Sequence, residues 1–104
     1  MEQTKILLCC GAGMSSGFIA SNARKVANKK KLPVSVEARS HTEVNEYLSS
    51  IDVLMIGPHY ANELESFEKL AAPYNVPVLV IPQDVYATLN GEKVIELALE
   101  AKKG

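Results

Sequence analysis

Short aliphatic runs alternate along this chain with stretches in which apolar residues recur every three or four positions, which predicts strands separated by amphipathic helices. Residues 5–9, 34–38, 52–56 and 76–81 form the runs, rich in leucine, isoleucine and valine, and all four strands are expected to lie parallel. Between the first two, Ile19, Ala23, Val26 and Ala27 fall on one helical face with Arg24, Lys25 and Asn28 opposite, and Pro33 opens the second strand. The next helix is short: Val44, Tyr47 and Leu48 are its only apolar face, and Thr42 stands where an N-cap is expected. A third helix carries Leu64, Phe67, Leu70 and Ala71 as its stripe, pairs Glu65 with Lys69 on the outside and stops at Pro73. Asn90-Gly91 launches the last helix, with Val94, Leu97, Ala98 and Ala101 inward and Lys102-Lys103 against the negative end of its dipole.

Repeated strand–helix units with right-handed crossovers stack into a doubly wound α/β sandwich, helices on both faces of one parallel sheet. A chain of 104 residues, 47% hydrophobic, supports one core and is short for two, so residues 1–104 read as a single domain without repeat or linker. Eleven basic and twelve acidic residues leave a net charge of −1, which provides no global field for nucleic acid. The basic run Lys29-Lys30-Lys31 falls where a helix C-terminus attracts cations and reads as a solvated helix end. The opening MEQTKILLCC lacks the basic start and long apolar core of a secretion signal. Residues 70–83, an uncharged stretch, hold three prolines and fall short of the roughly 20 residues that span a bilayer. Adjacent cysteines make no ordinary disulfide framework, and thiols persist in a reducing compartment, so a soluble cytoplasmic protein is expected.

Chemistry in an open parallel sheet gathers beyond the carboxyl ends of the strands. There the first run ends in residues 10–17, CGAGMSSG, ahead of a helix. Strand residues alternate in direction, so Cys9 is expected to finish the strand inside the core while Cys10 faces the loop. Gly11 and Gly13 let successive amide N–H groups converge on one anion. Ser15 and Ser16 add hydroxyl donors at the first helical turn, whose dipole favours negative charge. The same field lowers a thiol pKa from its ordinary value of about 8.5, which makes Cys10 a nucleophile. A plain core reading, two buried cysteines before a turn, leaves the two glycines and two serines without a purpose.

The stretch LLCCGAGMSSG, with the rest of the chain in register behind it, resembles the enzyme IIB component of the lactose/cellobiose (chitobiose) class of the bacterial sugar phosphotransferase system. The resemblance extends to Gly57-Pro58 after the third strand and the Pro82 region after the fourth. It implies a flavodoxin-like sandwich, akin to low-molecular-weight phosphatases, with strand order 2-1-3-4. It also implies that Cys10 is phosphorylated by a phosphohistidine of the IIA protein and passes the group to a sugar held by the membrane protein IIC. Gly11, Ala12, Gly13, Met14, Ser15, Ser16 and Gly17 would then be the phosphate-binding loop. A β-linked disaccharide such as cellobiose, chitobiose or lactose is the implied class of sugar, and a cytoplasmic monomer held at the membrane through IIC the implied state. The loop mixes features of two branches: Ser16-Gly17 reads as lactose-type, Ala12-Gly13-Met14-Ser15 as cellobiose-type.

Two loops are expected to open on the same face as Cys10: Gly57-Pro58-His59-Tyr60 and Pro82-Gln83-Asp84. His59 is an accessory candidate, since an imidazole beside a thiolate lowers its pKa or holds a phosphoryl oxygen, although a solvated loop histidine is the simpler reading. His41, placed at the other end of a strand, reads as surface. Met14 and Phe18 are either a docking surface or, for Phe18, packed on the sheet; Asp84 and Tyr86 either meet a partner or cap a turn. No carboxylate adjoins Cys10 in sequence, so the base for sugar phosphorylation is assigned to the membrane partner. The rival reading is a low-molecular-weight phosphatase or arsenate-reductase-like thiolate enzyme, but Ser16 stands where the phosphatase needs arginine and no Asp-Pro supplies its acid. A flavin or nucleotide module fits less well, because Gly11-x-Gly13-x-x-x-Gly17 misses the dinucleotide spacing by one residue and no Walker lysine follows. No cofactor is implied, and two cysteines with distant histidines fall short of metal-ligand spacing.

Overall fold

Thr4–Cys9 (β1), Val34–Arg39 (β2), Val53–Ile56 (β3) and Val78–Val80 (β4) form one parallel sheet in the order β2-β1-β3-β4. The computed structural model describes residues 4–9, 14–39 and 43–103, with the backbone alone at residues 14–16, 59 and 103. The helices are Met14–Lys30 (α1), Val44–Tyr47 (α2), Leu64–Ala71 (α3), Gln83–Ala87 (α4) and Gly91–Lys103 (α5). Tight 3₁₀ turns at Leu48–Ser50, Pro58–Glu63 and Ala72–Tyr74 complete the connections. Strand identity, direction and order follow the sequence reading. The last strand is shorter than residues 76–81: Pro77 has no N–H for the ladder with β3, and Pro82 follows as the residue before the next helix.

Alternation along β1 divides the core in two. Ile6 and Leu8 face α1 and α5, packing with Ile19, Ala23, Ala27, Val94, Ile95 and Ala98. Leu7 and Cys9 face the other way, packing with Val44, Leu48, Phe67 and Ala71 of the α2 and α3 side. Central strands covered on both faces account for the uninterrupted aliphatic runs of β1 and β3. Ile95 is buried although it lies beside the stripe read from sequence; α5 packs on both the sheet and α1, so its apolar face is broad. Leu70, by contrast, is 43% exposed, because α3 lies over the β4 margin, where the sheet ends beneath its flank. Glu65 and Lys69 pair at 3.6 Å as expected.

Helix ends show where local chemistry departed from expectation. Asn90 Oδ1 accepts the Lys93 N–H at 3.1 Å, the cap that starts α5. Thr42 lies outside the described residues, and the residue at the α2 boundary is Glu43, which makes no side-chain cap bond. Lys31, Asn75 and Leu89 have φ of 56°, 57° and 54°. Each follows a helical segment and joins a pair of closing bonds: Leu32 N–H to the Ala27 carbonyl and Lys31 N–H to that of Asn28, with equivalent pairs at Asn75 and Leu89. These are Schellman closures, in which a left-handed residue lets the chain reverse and satisfies otherwise orphaned carbonyls.

Candidate active site

Register brings the carboxyl ends of the strands level. Cys9 lies opposite Arg39 on one side and Ile56 on the other, and Ile56 lies opposite Val80. Gly57 N–H donates to the Cys9 carbonyl at 2.9 Å, and Ile81 N–H to the Ile56 carbonyl at 2.8 Å. The chain therefore leaves all four strands along one edge, the edge at which open parallel sheets collect chemistry.

Cys10, Gly11, Ala12 and Gly13 lie outside the described residues. Their two anchors are placed: Cys9, a fully buried thiol in the α2–α3 core, and Met14, the first residue of α1. Cys9 is thus the structural cysteine that alternation predicted. Met14, Ser15, Ser16 and Gly17 form the first turn of α1, which puts Ser15 and Ser16 in the helical turn where the sequence placed them. Helix begins at Met14, so the intervening link is four residues, 10–13. The side chains of Met14, Ser15 and Ser16 are likewise outside the description. The first four N–H groups of α1 have no partner within the helix and carry its positive dipole end. Among the described residues nothing lies within 4 Å of a Cβ built on Gly17, so their packing does not demand glycine there.

The other expected loops do reach this edge, with more helical structure than predicted. Gly57 begins the segment after β3, and Tyr60 N–H returns to the Gly57 carbonyl at 2.9 Å, which folds Pro58–Glu63 into its 3₁₀ turn. The His59 backbone is in that turn, and its side chain is outside the description. Tyr60 turns away toward α3, with its ring edge-on to Phe67 at 5.9 Å. Gln83 and Asp84, expected in a loop, open α4 instead: Pro82 precedes the helix, and Tyr86 N–H donates to its carbonyl at 2.9 Å. Asp84 is exposed in that first turn, where a carboxylate suits the dipole, while Tyr86 packs against the α1–α5 core. Phe18 is 58% exposed, which excludes the reading that packed it on the sheet.

Sequence reading passed over Arg39, the last residue of β2 and the register partner of Cys9. Its Nε–H donates to the Tyr47 hydroxyl at 2.9 Å and its guanidinium lies 5.3 Å from the centre of the Tyr47 ring. The Tyr47 hydrogen bond holds the Arg39 pKa above its ordinary value, so a permanent cation marks this margin of the edge. The signal in sequence was a lone arginine at a strand end, indistinguishable from ordinary surface. The same register corrects the placement of His41: β2 ends at the Cys9 edge, so the link that carries His41 leaves from that edge and not the opposite one. His41 itself lies outside the described residues. Among the described residues no group of three or more histidine, cysteine or carboxylate side chains gathers at metal-binding distance, and no helix is long and apolar enough to cross a membrane.

A family model described as "PTS system, Lactose/Cellobiose specific IIB subunit" matches residues 5–97. The chain is 30% identical over 95 residues to the PTS system oligo-beta-mannoside-specific EIIB component of Bacillus subtilis (strain 168), covering 91% of this chain and 92% of that protein. It is 25% identical over 97 residues to the PTS system lactose-specific EIICB component of Staphylococcus haemolyticus, covering 86% of this chain but 17% of that longer protein. Among solved structures, the cellobiose-specific phosphotransferase IIB component protein from Borrelia burgdorferi superposes with a TM-score of 0.81 at 33% identity, covering 97% and 93% of the two chains. The lactose-specific IIB component domain from Streptococcus pneumoniae reaches 0.86 at 16% identity over 96% and 98%, which establishes the shared fold.

Proposed function

The chain belongs to the lactose/cellobiose-specific IIB family of the sugar phosphotransferase system, and from that premise we propose that it is a phosphocysteine carrier working through Cys10. The reading is of one domain over residues 1–104 that takes a phosphoryl group from a phosphohistidine of a IIA protein and delivers it to a sugar bound by a membrane IIC protein. The observation that carries it is positional. Cys10 directly follows the last residue of β1, and four residues separate that strand from the N-terminus of a seventeen-residue helix.

In the first step the Cys10 thiolate attacks phosphorus in line; the S–P bond forms as the P–N bond to the donor imidazole breaks, and the imidazole leaves with its electron pair. N–H groups of the link and of the first turn of α1, with the Ser15 and Ser16 hydroxyls, neutralise charge on the equatorial oxygens. In the second step a sugar hydroxyl attacks phosphorus, the S–P bond breaks and the thiolate returns. The hydroxyl proton goes to a base on the partner. The relatives support the pairing, since one is an EIICB component, and the sugars for which they are named favour a β-linked disaccharide. His59 is retained as an accessory on the strength of its backbone position after Gly57.

Intact-mass analysis after incubation with phosphoenolpyruvate, the general phosphotransferase proteins and a cognate IIA tests this reading. One added phosphoryl group is expected on the wild type and on Cys9→Ser, and none on Cys10→Ser. A modified Cys10→Ser, or no adduct on any form, would overturn it.

A further inference from the structure

The two margins of the sheet are finished differently. β4 offers three residues between two prolines, which gives another strand little to pair with. β2 offers six. Thr4 N–H donates to the Pro33 carbonyl at 2.8 Å, so ladder alternation directs residues 33, 35, 37 and 39 at β1 and turns the N–H and C=O of Val34, Val36 and Ala38 outward. Val34 N–H is taken by the Leu32 carbonyl at 2.9 Å. The Val36 carbonyl accepts Arg24 Nε–H at 2.7 Å, and the Ala38 carbonyl accepts Arg39 Nη1–H at 2.8 Å.

The arginines reach this margin from opposite faces. Arg24 descends from α1, while Arg39 lies against Tyr47 of α2 and is held by that hydroxyl, the Tyr47 ring and Glu37 at 3.6 Å. Alongside them runs an open groove of about 390 Å³, lined by Arg24, Asn28 and residues 34–37. The margin has space for a strand, and two of its outward carbonyls are already occupied.

We propose that Arg24 and Arg39 are edge guards that keep β2 from pairing with β2 of a second copy of this chain. The second copy is the fitting occupant because β2 complements itself. Antiparallel pairing about Val36 sets Val36 against Val36 and Val34 against Ala38, the outward-facing residues, and places Ser35 opposite Glu37 with no like charges opposed. A carrier that serves two partners in turn needs its surface unblocked by self-association, and Arg24 and Arg39 supply this from the margin of the sheet.

The test is sedimentation velocity over a hundredfold range of concentration, with amide hydrogen exchange on the same samples. Arg24→Ala and Arg24→Met, the latter keeping the aliphatic stem without a donor, are expected to associate into dimers as concentration rises. In those dimers the Val36 and Ala38 amides should exchange at least tenfold more slowly than in the wild type. Wild type and Lys25→Ala, which removes a cation from the same helix without touching the edge, should remain monomeric. The proposal falls if both Arg24 variants stay monomeric, if they associate without protecting those amides, if Lys25→Ala associates equally, or if the wild type is itself a dimer.

Discussion

Phe18 keeps 58% of its surface exposed, one turn beyond the start of α1. An aromatic ring there contributes little to the core, so replacing it has a small folding cost, whereas aromatic anchors dominate protein interfaces. Phe18→Ala is expected to change unfolding free energy by no more than about 0.5 kcal/mol. Acting as a contact for the IIA donor, it should lower kcat/KM for transfer about tenfold, roughly 1.4 kcal/mol. Urea denaturation beside transfer kinetics checks both halves, and unchanged kinetics would remove Phe18 from the docking surface. Gly91 shows the opposite logic. A Cβ there would lie 2.3 Å from the Ala23 nitrogen and 2.5 Å from the Asn22 carbonyl carbon, backbone atoms that cannot give way. Asn22 Nδ2–H also donates to the Leu89 carbonyl at 2.8 Å, so the start of α5 is pinned to the middle of α1. That junction fixes α1, whose N-terminus follows the carboxyl end of β1.

At the scale of elements, the three left-handed residues set a testable contrast. A non-glycine residue in that region costs about 1–2 kcal/mol, while glycine pays in unfolded-state entropy, which leaves a net gain of roughly 0.5–1 kcal/mol at an unstrained site. Lys31 is exposed and ends α1 without packing on the core, so Lys31→Gly should raise stability by about that amount in thermal or urea unfolding. Leu89 packs against the α1–α5 core, so Leu89→Gly would lose apolar contact that offsets the relief. A destabilised Lys31→Gly would show that its lysine contributes more than the backbone cost. These helix ends also mark the limit of what the sequence disclosed. The strands were legible because β1 and β3, buried on both faces, admit only aliphatic residues, and the α1 stripe because one face meets the sheet. Lysine and leucine at helix closures carry no such signature, since the preference there is for glycine. Helix α4 was hidden by its five-residue length and by Pro82, which reads as a loop but serves as the residue before a helix start. At the site, Gly57 was legible as the loop after the third strand, whereas the adjacency of Arg39 to Cys9 came only from strand register, which joins residues far apart in sequence.

Across the whole molecule, β1, like β3, serves both halves of the core: Ile6 and Leu8 belong to one, Leu7 and Cys9 to the other, and β2 and β3 flank β1 in the sheet. Cys9 has no exposed surface and lies opposite both Arg39 and Ile56. Exposing its sulfur by a local movement would require the end of β1 to leave two strands and one core layer together, which is close to the cost of unfolding everything. Thiol labelling of Cys10→Ser, in which Cys9 is the remaining cysteine, measures that cost directly. Its labelling is expected to report an opening free energy within about 0.5 kcal/mol of the global value from denaturation, with the full denaturant dependence of global unfolding. Labelling through a cheaper opening with shallow urea dependence would mean that the end of β1 frays on its own. The difference bears on the carrier reading, because a phosphoryl group passed in line between two partners needs the strand beneath Cys10 to hold its position while donors and acceptors change above it.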